Sequence, residues 1–269
     1  MLVYKMIFAI LSFMLGASFA SFAVVIAYRL PKGISLIKPD SFCPYCKKSI
    51  KFYDNIPVLS WVLLGGKCRY CNSKIGVFSF VFEIIGGLGF VLTYLKYGDT
   101  VKTLPIVIAL MLLIFLFVVI SAIDYETHEI YDITLVLFAI LSIFIIIYRV
   151  IVFNFDIWSH MFGMIFGFVF FFLIKIISKI VLKKDALGTG DVYLVGIAGF
   201  LLGVLPLLLS IITATSLGAV IELIKIKKDK SNRENEIAFA PYLLLGIGLM
   251  AIYGDSILKF YWEVIINAI

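Results

Sequence analysis

The sequence predicts an all-α polytopic membrane protein, with about eight transmembrane helices and a small zinc-binding loop domain between the first two. Three observations carry that expectation. Hydrophobic residues fill 63% of 269 positions and charged residues 15%, with a mean hydropathy of +1.12, values foreign to a soluble domain. The apolar residues come in blocks, most of them near the roughly 20 residues that cross a bilayer. All four cysteines fall between the first and second blocks.

The spans are read at 5–28, 79–97, 103–123, 133–153, 159–182, 190–204, 206–226 and 239–263. The first has the place of a signal peptide, but its apolar run from Met6 to Ala27 outlasts an h-region of about 7–15 residues. Only Lys5 is basic ahead of it, so it is read as a retained span. The sixth span is short, which predicts a helix that is thin, tilted or sunk below one surface. Three parts follow: 1–28 as the first transmembrane helix, 29–78 as a tetracysteine domain, and 79–269 as the transmembrane core.

Charge sets the orientation. Arg29, Lys32, Lys38, Lys47, Lys48, Lys51, Lys67, Arg69 and Lys74 lie between spans one and two. Lys183 and Lys184 follow span five, and Lys225, Lys227, Lys228, Lys230 and Arg233 follow span seven. The other connections carry few cations: Lys96 and Lys102 around one, none in 154–158 and none near Gly203. The basic connections are therefore expected in the cytoplasm and both termini outside. This topology accounts for the net charge of +6 and leaves no reason to invoke nucleic acid.

The cysteines form two CxxC pairs, Cys43-Pro44-Tyr45-Cys46 and Cys68-Arg69-Tyr70-Cys71. Each tight turn offers two thiolates, and two turns complete a tetrahedral S4 site suited to zinc. A redox pair or unliganded thiols are the alternatives; structural disulfides do not suit a cytoplasmic loop. Four sulfur ligands leave no open position, so such a metal is structural and shapes a loop too small for its own core.

Asp191, in Leu187-Gly188-Thr189-Gly190-Asp191, opens the sixth span. A carboxylate at a membrane edge is expensive and marks a functional site by default. Its candidate partner is Asp124, which closes the third span on the same side. Two carboxylates at one site titrate as a unit, one protonated and one charged. That state suits hydrolysis, since one group takes a proton from water while the other donates to a carbonyl oxygen. Gly188 and Gly190 allow close backbone approach at the helix start, and the start itself favours a negative charge. Glu126, Glu129 and Asp132 read as a solvated face, and Asp185 as a partner for Lys183 and Lys184. His128-Glu129-Ile130-Tyr131-Asp132 falls short of HExxH, because Asp132 stands where the second histidine belongs. Ser18 and Ser21 have no nearby base and read as small helix-packing residues.

Together these residues resemble the type IV prepilin peptidases, a family of GxGD membrane aspartyl proteases. The likeness runs from Gly16 to Gly246. Besides the cysteine pairs and the two acids it rests on Gly16-Ala17-Ser18-Phe19, on Arg29-Leu30-Pro31, and on Tyr53 to Trp61 with Gly66-Lys67-Cys68-Arg69. Phe239-Ala240-Pro241-Tyr242 resembles the PFGPF-like segment before the family's last span.

The resemblance implies a bacterial plasma-membrane endopeptidase that cuts pilin-like precursors on the cytoplasmic side, after a glycine, using Asp124 and Asp191. Members with the cysteine loop typically also methylate the new N-terminal residue, with S-adenosylmethionine as donor. The substrates implied are pilins or pseudopilins of pili, type II secretion or DNA uptake. Asp54, Asn55 and Glu83 are the candidate residues for the donor site; a loop turn and a membrane-edge anchor are their alternative reading. Three departures stand out. Phe78-Ser79-Phe80 replaces an RYP-like triplet before Glu83, Tyr131 replaces a proline before Asp132, and Tyr193 stands where a lysine commonly follows the GxGD motif. Outside that family, the same features admit a zinc-ribbon membrane protein without catalysis, a transporter using the acids as an ion site, or a methyltransferase with a silent protease centre. The transporter reading lacks the matched repeats expected of it.

Overall fold

The computed structural model describes residues 2–183, 187–228 and 238–266. Lys184, Asp185, Lys230 and Arg233, singled out above, lie outside the described residues. The helices in order are α1 (Leu2–Arg29), α2 (Leu59–Leu63), α3 (Val77–Tyr97), α4 (Leu104–Thr127), α5 (Asp132–Phe153), α6 (Trp158–Leu182), α7 (Thr189–Leu202), α8 (Val204–Lys228) and α9 (Ala240–Ile266). Among the described residues there is no strand. Two isolated antiparallel bridges, Phe42 with Ser49 and Lys67 with Lys74, lie in the cysteine loop.

Every expected apolar segment is a helix. Seven of them, α1, α3, α4, α5, α6, α8 and α9, are long and apolar enough to cross a membrane. The eighth, α7, has 14 residues, about 21 Å at 1.5 Å per residue, so it falls short of a roughly 30 Å core. The protein is thus a multi-pass, all-helical membrane protein. It divides into two compact units, Met1–Val107 and Ile108–Ile269.

In the first unit α1 packs on α3 through small residues. The buried stripe of α1 is Ala17, Ala20, Ala23 and Ala27. A Cβ on Gly16 would stand 2.4 Å from the Gly86 carbonyl oxygen, and one on Gly86 would stand 2.6 Å from the Ala20 methyl. Lipid tails are as apolar as leucine, so such helices associate by close backbone approach. At the end of α1 the buried Arg29 guanidinium donates to the carbonyls of Ser35 at 2.9 Å and Pro39 at 2.8 Å. That gathers the start of the cysteine loop around one cation.

In the second unit α7 is enclosed by α5, α6, α8 and α9, and Leu194, Val195 and Ala198 are wholly buried. Glycines bring α6 and α7 together. A Cβ on Gly199 would lie 2.1 Å from the Gly163 carbonyl oxygen, and one on Gly167 would lie 2.7 Å from that of Val195. Enclosure answers the shortness of α7, because a helix that ends within a membrane must find partners for its last carbonyls inside the protein. The buried His160 ring nitrogen Nδ1 meets the Phe200 carbonyl at 2.9 Å, and Gly203, at φ 80°, turns the chain into α8.

Candidate active site and cysteine centre

Asp124 lies in the last turn of α4 and is buried. The helix stops at His128, whose left-handed φ of 55° lets its N–H reach the Asp124 backbone carbonyl at 2.9 Å. The carboxylate has a different partner: Oδ2 accepts the N–H of Ala240, the first residue of α9, at 3.2 Å. Pro241, next in the helix, has no N–H to satisfy. The free donors at the α9 start therefore face an acid.

Asp191 is the third residue of α7, and Gly188 is its N-cap. The Gly188 N–H bears on the Asp191 carboxylate, so the side chain closes the helix start in the manner of a capping-box acid. Gly190 is needed for its neighbour: a Cβ there would stand 2.9 Å from the Ile130 Cβ in the α4–α5 connection. The missing methyl lets the first turn of α7 rest against the loop that follows Asp124. The Asp191 charge is felt at the Asp124 carboxylate, and both acids stand at the end of the helix cluster where Gly190 packs on Ile130. Glu126, Glu129 and Asp132 are exposed, as expected of a solvated face.

Two features escaped the sequence reading. The Ala240 N–H on Asp124 left no sequence signal, since any residue but proline carries that donor. Lys175 did leave one, as one of two lysines, with Lys179, in the largely apolar 25-residue α6, and its charge acts on Asp191.

The four cysteine sulfurs all lie within 4.8 Å of one another. Their two turns are built alike. Cys43 receives the Lys47 N–H at 2.9 Å and Cys68 receives the Asn72 N–H at 2.9 Å, with Lys47 and Asn72 both in left-handed conformation. The Cys43 and Cys71 sulfurs are 3.8 Å apart, which is the spacing, about 3.8 Å, that a tetrahedron with roughly 2.3 Å zinc–sulfur bonds requires. Although burial opposes it, the N–H groups of Cys46 and Tyr45 bring the Cys43 thiol down to about 6. Although the Lys48 N–H opposes it, burial and the neighbouring sulfurs push Cys46 up to about 11. The donor set and its spacing fit a structural zinc.

Asp54 and Glu83 both hold partners in the first unit. Arg69 donates to Asp54 twice, from Nε at 2.8 Å and from a terminal nitrogen at 2.6 Å. The buried Glu83 accepts the Val58 N–H at 2.6 Å. Val58 has φ 66° and ψ −54°, and the next N–H, of Leu59, bonds back to the Pro57 carbonyl at 2.7 Å. This is a rare, strained γ-turn, more so for a β-branched residue. Asn55 beside it is exposed.

A multi-pass helical core with paired acids, preceded by a tetracysteine loop, defines a class of membrane-embedded enzyme. Comparison with known proteins supplies the particular family. The bacterial peptidase A24 N-terminal domain matches residues 14–97, and the type IV leader peptidase family matches residues 110–223. A Bacillus subtilis prepilin leader peptidase/N-methyltransferase is 28% identical over 93% of this chain and 96% of its own. An Escherichia coli type 4 prepilin-like proteins leader peptide-processing enzyme is 30% identical over 82% of this chain and 77% of its own. A Neisseria gonorrhoeae prepilin leader peptidase/N-methyltransferase is 28% identical over 92% and 91%. The chain belongs to the type IV prepilin leader peptidase family. No solved structure matches it.

Proposed function

We propose that this enzyme cleaves the leader from type IV prepilins and pseudopilins at the cytoplasmic face of a bacterial plasma membrane, after a glycine, with Asp124 and Asp191 as its catalytic acids. The observation that supports the reading is that the Asp191 charge acts on the Asp124 carboxylate, each acid standing beside a backbone N–H where a helix begins. Two acids acting at one site would share one proton. The charged one takes a proton from water as the water oxygen attacks the scissile carbonyl carbon, and the protonated one gives its proton to the carbonyl oxygen. On collapse of the tetrahedral adduct the C–N bond breaks, the amine takes the proton that the first acid had accepted from water, and one adduct hydroxyl returns its proton to the second acid. Gly188 and Gly190 support the geometry by letting the start of α7 pack closely. The exposed Glu126 and Glu129 would draw the basic leader to the site.

Cys43, Cys46, Cys68 and Cys71 would hold one structural zinc. The second activity read here is N-methylation of the new N-terminus, for which S-adenosylmethionine would supply the methyl group. Asp54 and Glu83, already engaged by Arg69 and Val58, would frame the donor site, and the exposed Asn55 would meet the donor.

Mass spectrometry of a recombinant prepilin after incubation with the reconstituted enzyme reads both activities at once. Cleavage after glycine with a mass gain of one methyl is the expected product. Asp191→Asn and Asp124→Asn should each abolish cleavage. Cleavage at the wild-type rate with either acid neutralised would sink the reading.

A further inference from the structure

Lys175 sits on the ridge by which α6 meets α7. That ridge runs every fourth residue through Gly163, Gly167 and Phe171, the last of them buried. Gly163 lies against Gly199 and Gly167 against Val195. The helices run antiparallel, so the next step pairs position 171 with 191, and Lys175 follows one turn later on the same ridge. It is therefore on the side of α6 that meets α7, near the Gly188–Asp191 start.

The neighbouring residues differ in kind. Phe172, Leu173, Ile174, Ile176 and Ile177 are exposed and apolar, as a lipid-facing surface requires. Lys175 is half-buried, and its charge reaches the Asp191 carboxylate. A lysine in an apolar helix is expensive unless it faces the protein interior, a counter-charge or the headgroups. Lys179, one turn further on and exposed, is the better placed of the two for the headgroups.

We propose that Lys175 is a positioning residue of the acid pair: from α6 it holds the negative charge on Asp191, and so leaves the shared proton on Asp124. The proposal rests on the catalytic reading above and deepens it by assigning the two roles. Asp191 becomes the base toward water and Asp124 the acid toward the carbonyl oxygen. Other groups bear on the pair as well. His128, just past the end of α4, and the Ala240 N–H both act on Asp124 and favour its charged form, so the Lys175 cation has to outweigh them. Asp132, at the start of α5, is exposed. At the ends of α8 and α9, Glu222 accepts from Lys225 at 2.7 Å and from the Tyr242 hydroxyl at 3.0 Å.

The test compares Lys175→Met, Lys175→Gln and Lys175→Arg in the full chain, reconstituted with a recombinant prepilin. The neutral variants should lower kcat about tenfold or more with little change in KM, since the reacting charge, not binding, is altered. Without the cation Asp191 ionises less readily, so the acid limb of the kcat–pH profile should move to higher pH. Lys175→Arg should restore both. Incomplete folding would lower the amplitude but leave the limb in place, so the limb is the deciding readout. Neutral variants with the wild-type limb overturn the proposal and leave Lys175 a residue that snorkels or packs. Asp191→Asn, run beside them, separates the two levels: if it stays active the acid-pair reading fails, and if it is inactive while the neutral variants keep the wild-type limb, only the role of Lys175 fails.

Discussion

The Ala240 N–H donates to the Asp124 carboxylate across 3.2 Å, so the start of α9 is fastened to the end of α4 by a catalytic candidate. This gives Asp124 a structural duty beside the chemical one proposed for it, and the two can be separated by substitution. Asn can still accept from Ala240, but it cannot exchange a proton. Ala leaves a buried N–H without a partner, at about 1–3 kcal/mol. Asp124→Asn should therefore be inactive yet melt near the wild type, whereas Asp124→Ala should be inactive and less stable. Equal melting temperatures would show that the bond adds nothing.

Gly190 is the tighter of the two motif glycines against its surroundings. A Cβ there would stand 2.9 Å from the Ile130 Cβ, a backbone-anchored atom that cannot swing aside. Gly190→Ala should therefore shift Asp191 from Asp124 and lower kcat, by a factor on the order of a hundred, as small misplacements of reacting groups do. Ile130→Gly should restore part of the loss in the double variant, while Ile130→Ala, which keeps the offending atom, should not. A double-mutant cycle with no coupling would contradict the contact.

How far the sequence could be read follows from what composition encodes. Lengths of apolar run mark the spans, so every helix but the short α2, together with the cysteine loop and the two acids, could be named. Depth and register could not. The sixth span was expected over 190–204, and the helix is Thr189–Leu202 because Gly203 leaves the helical conformation and α8 begins at Val204. That register comes from backbone contacts of Gly163 with Gly199, which leave no hydrophobic pattern. Lys175 is not marked out by the sequence, because lysines near the end of a long span, Lys179 among them, ordinarily read as snorkelling; only the α6–α7 pairing puts Lys175 near the start of α7. The strained Val58 turn was equally hidden, since nothing about valine announces a positive φ.

The cysteine centre predicts one equivalent of zinc per chain, measured by elemental analysis of the purified enzyme. All four ligands must be thiolates in the metal-bound form, and Cys46, at about 11 without metal, has to give up its proton on binding. Zinc affinity should accordingly weaken as pH falls. Chelation should expose the segment between α1 and α3 to protease, and Cys43→Ser should do the same without chelator. Full protection in the metal-free protein would argue that the loop does not need its metal.

The Asp54–Arg69 pair gives that same loop a second, acid-sensitive support. The Arg69 guanidinium, bonded to both carboxylate oxygens, holds the Asp54 carboxyl below its ordinary range. A carboxyl depressed in the folded state stabilises it fully above its unfolded value, near 4, and loses that contribution as pH falls through the folded value. Protease resistance of the loop should thus show no contribution from this pair to any change between pH 8 and pH 5, and should lose the pair's support only in stronger acid. Arg69→Lys keeps the charge but not the two-pronged geometry, so it should retain only part of the protection at neutral pH. Arg69→Met should be less resistant than wild type at pH 7 and converge with it in strong acid, where the wild type has lost the pair as well. Parallel curves for Arg69→Met and wild type down to that range would show that Asp54 is held by something other than this guanidinium.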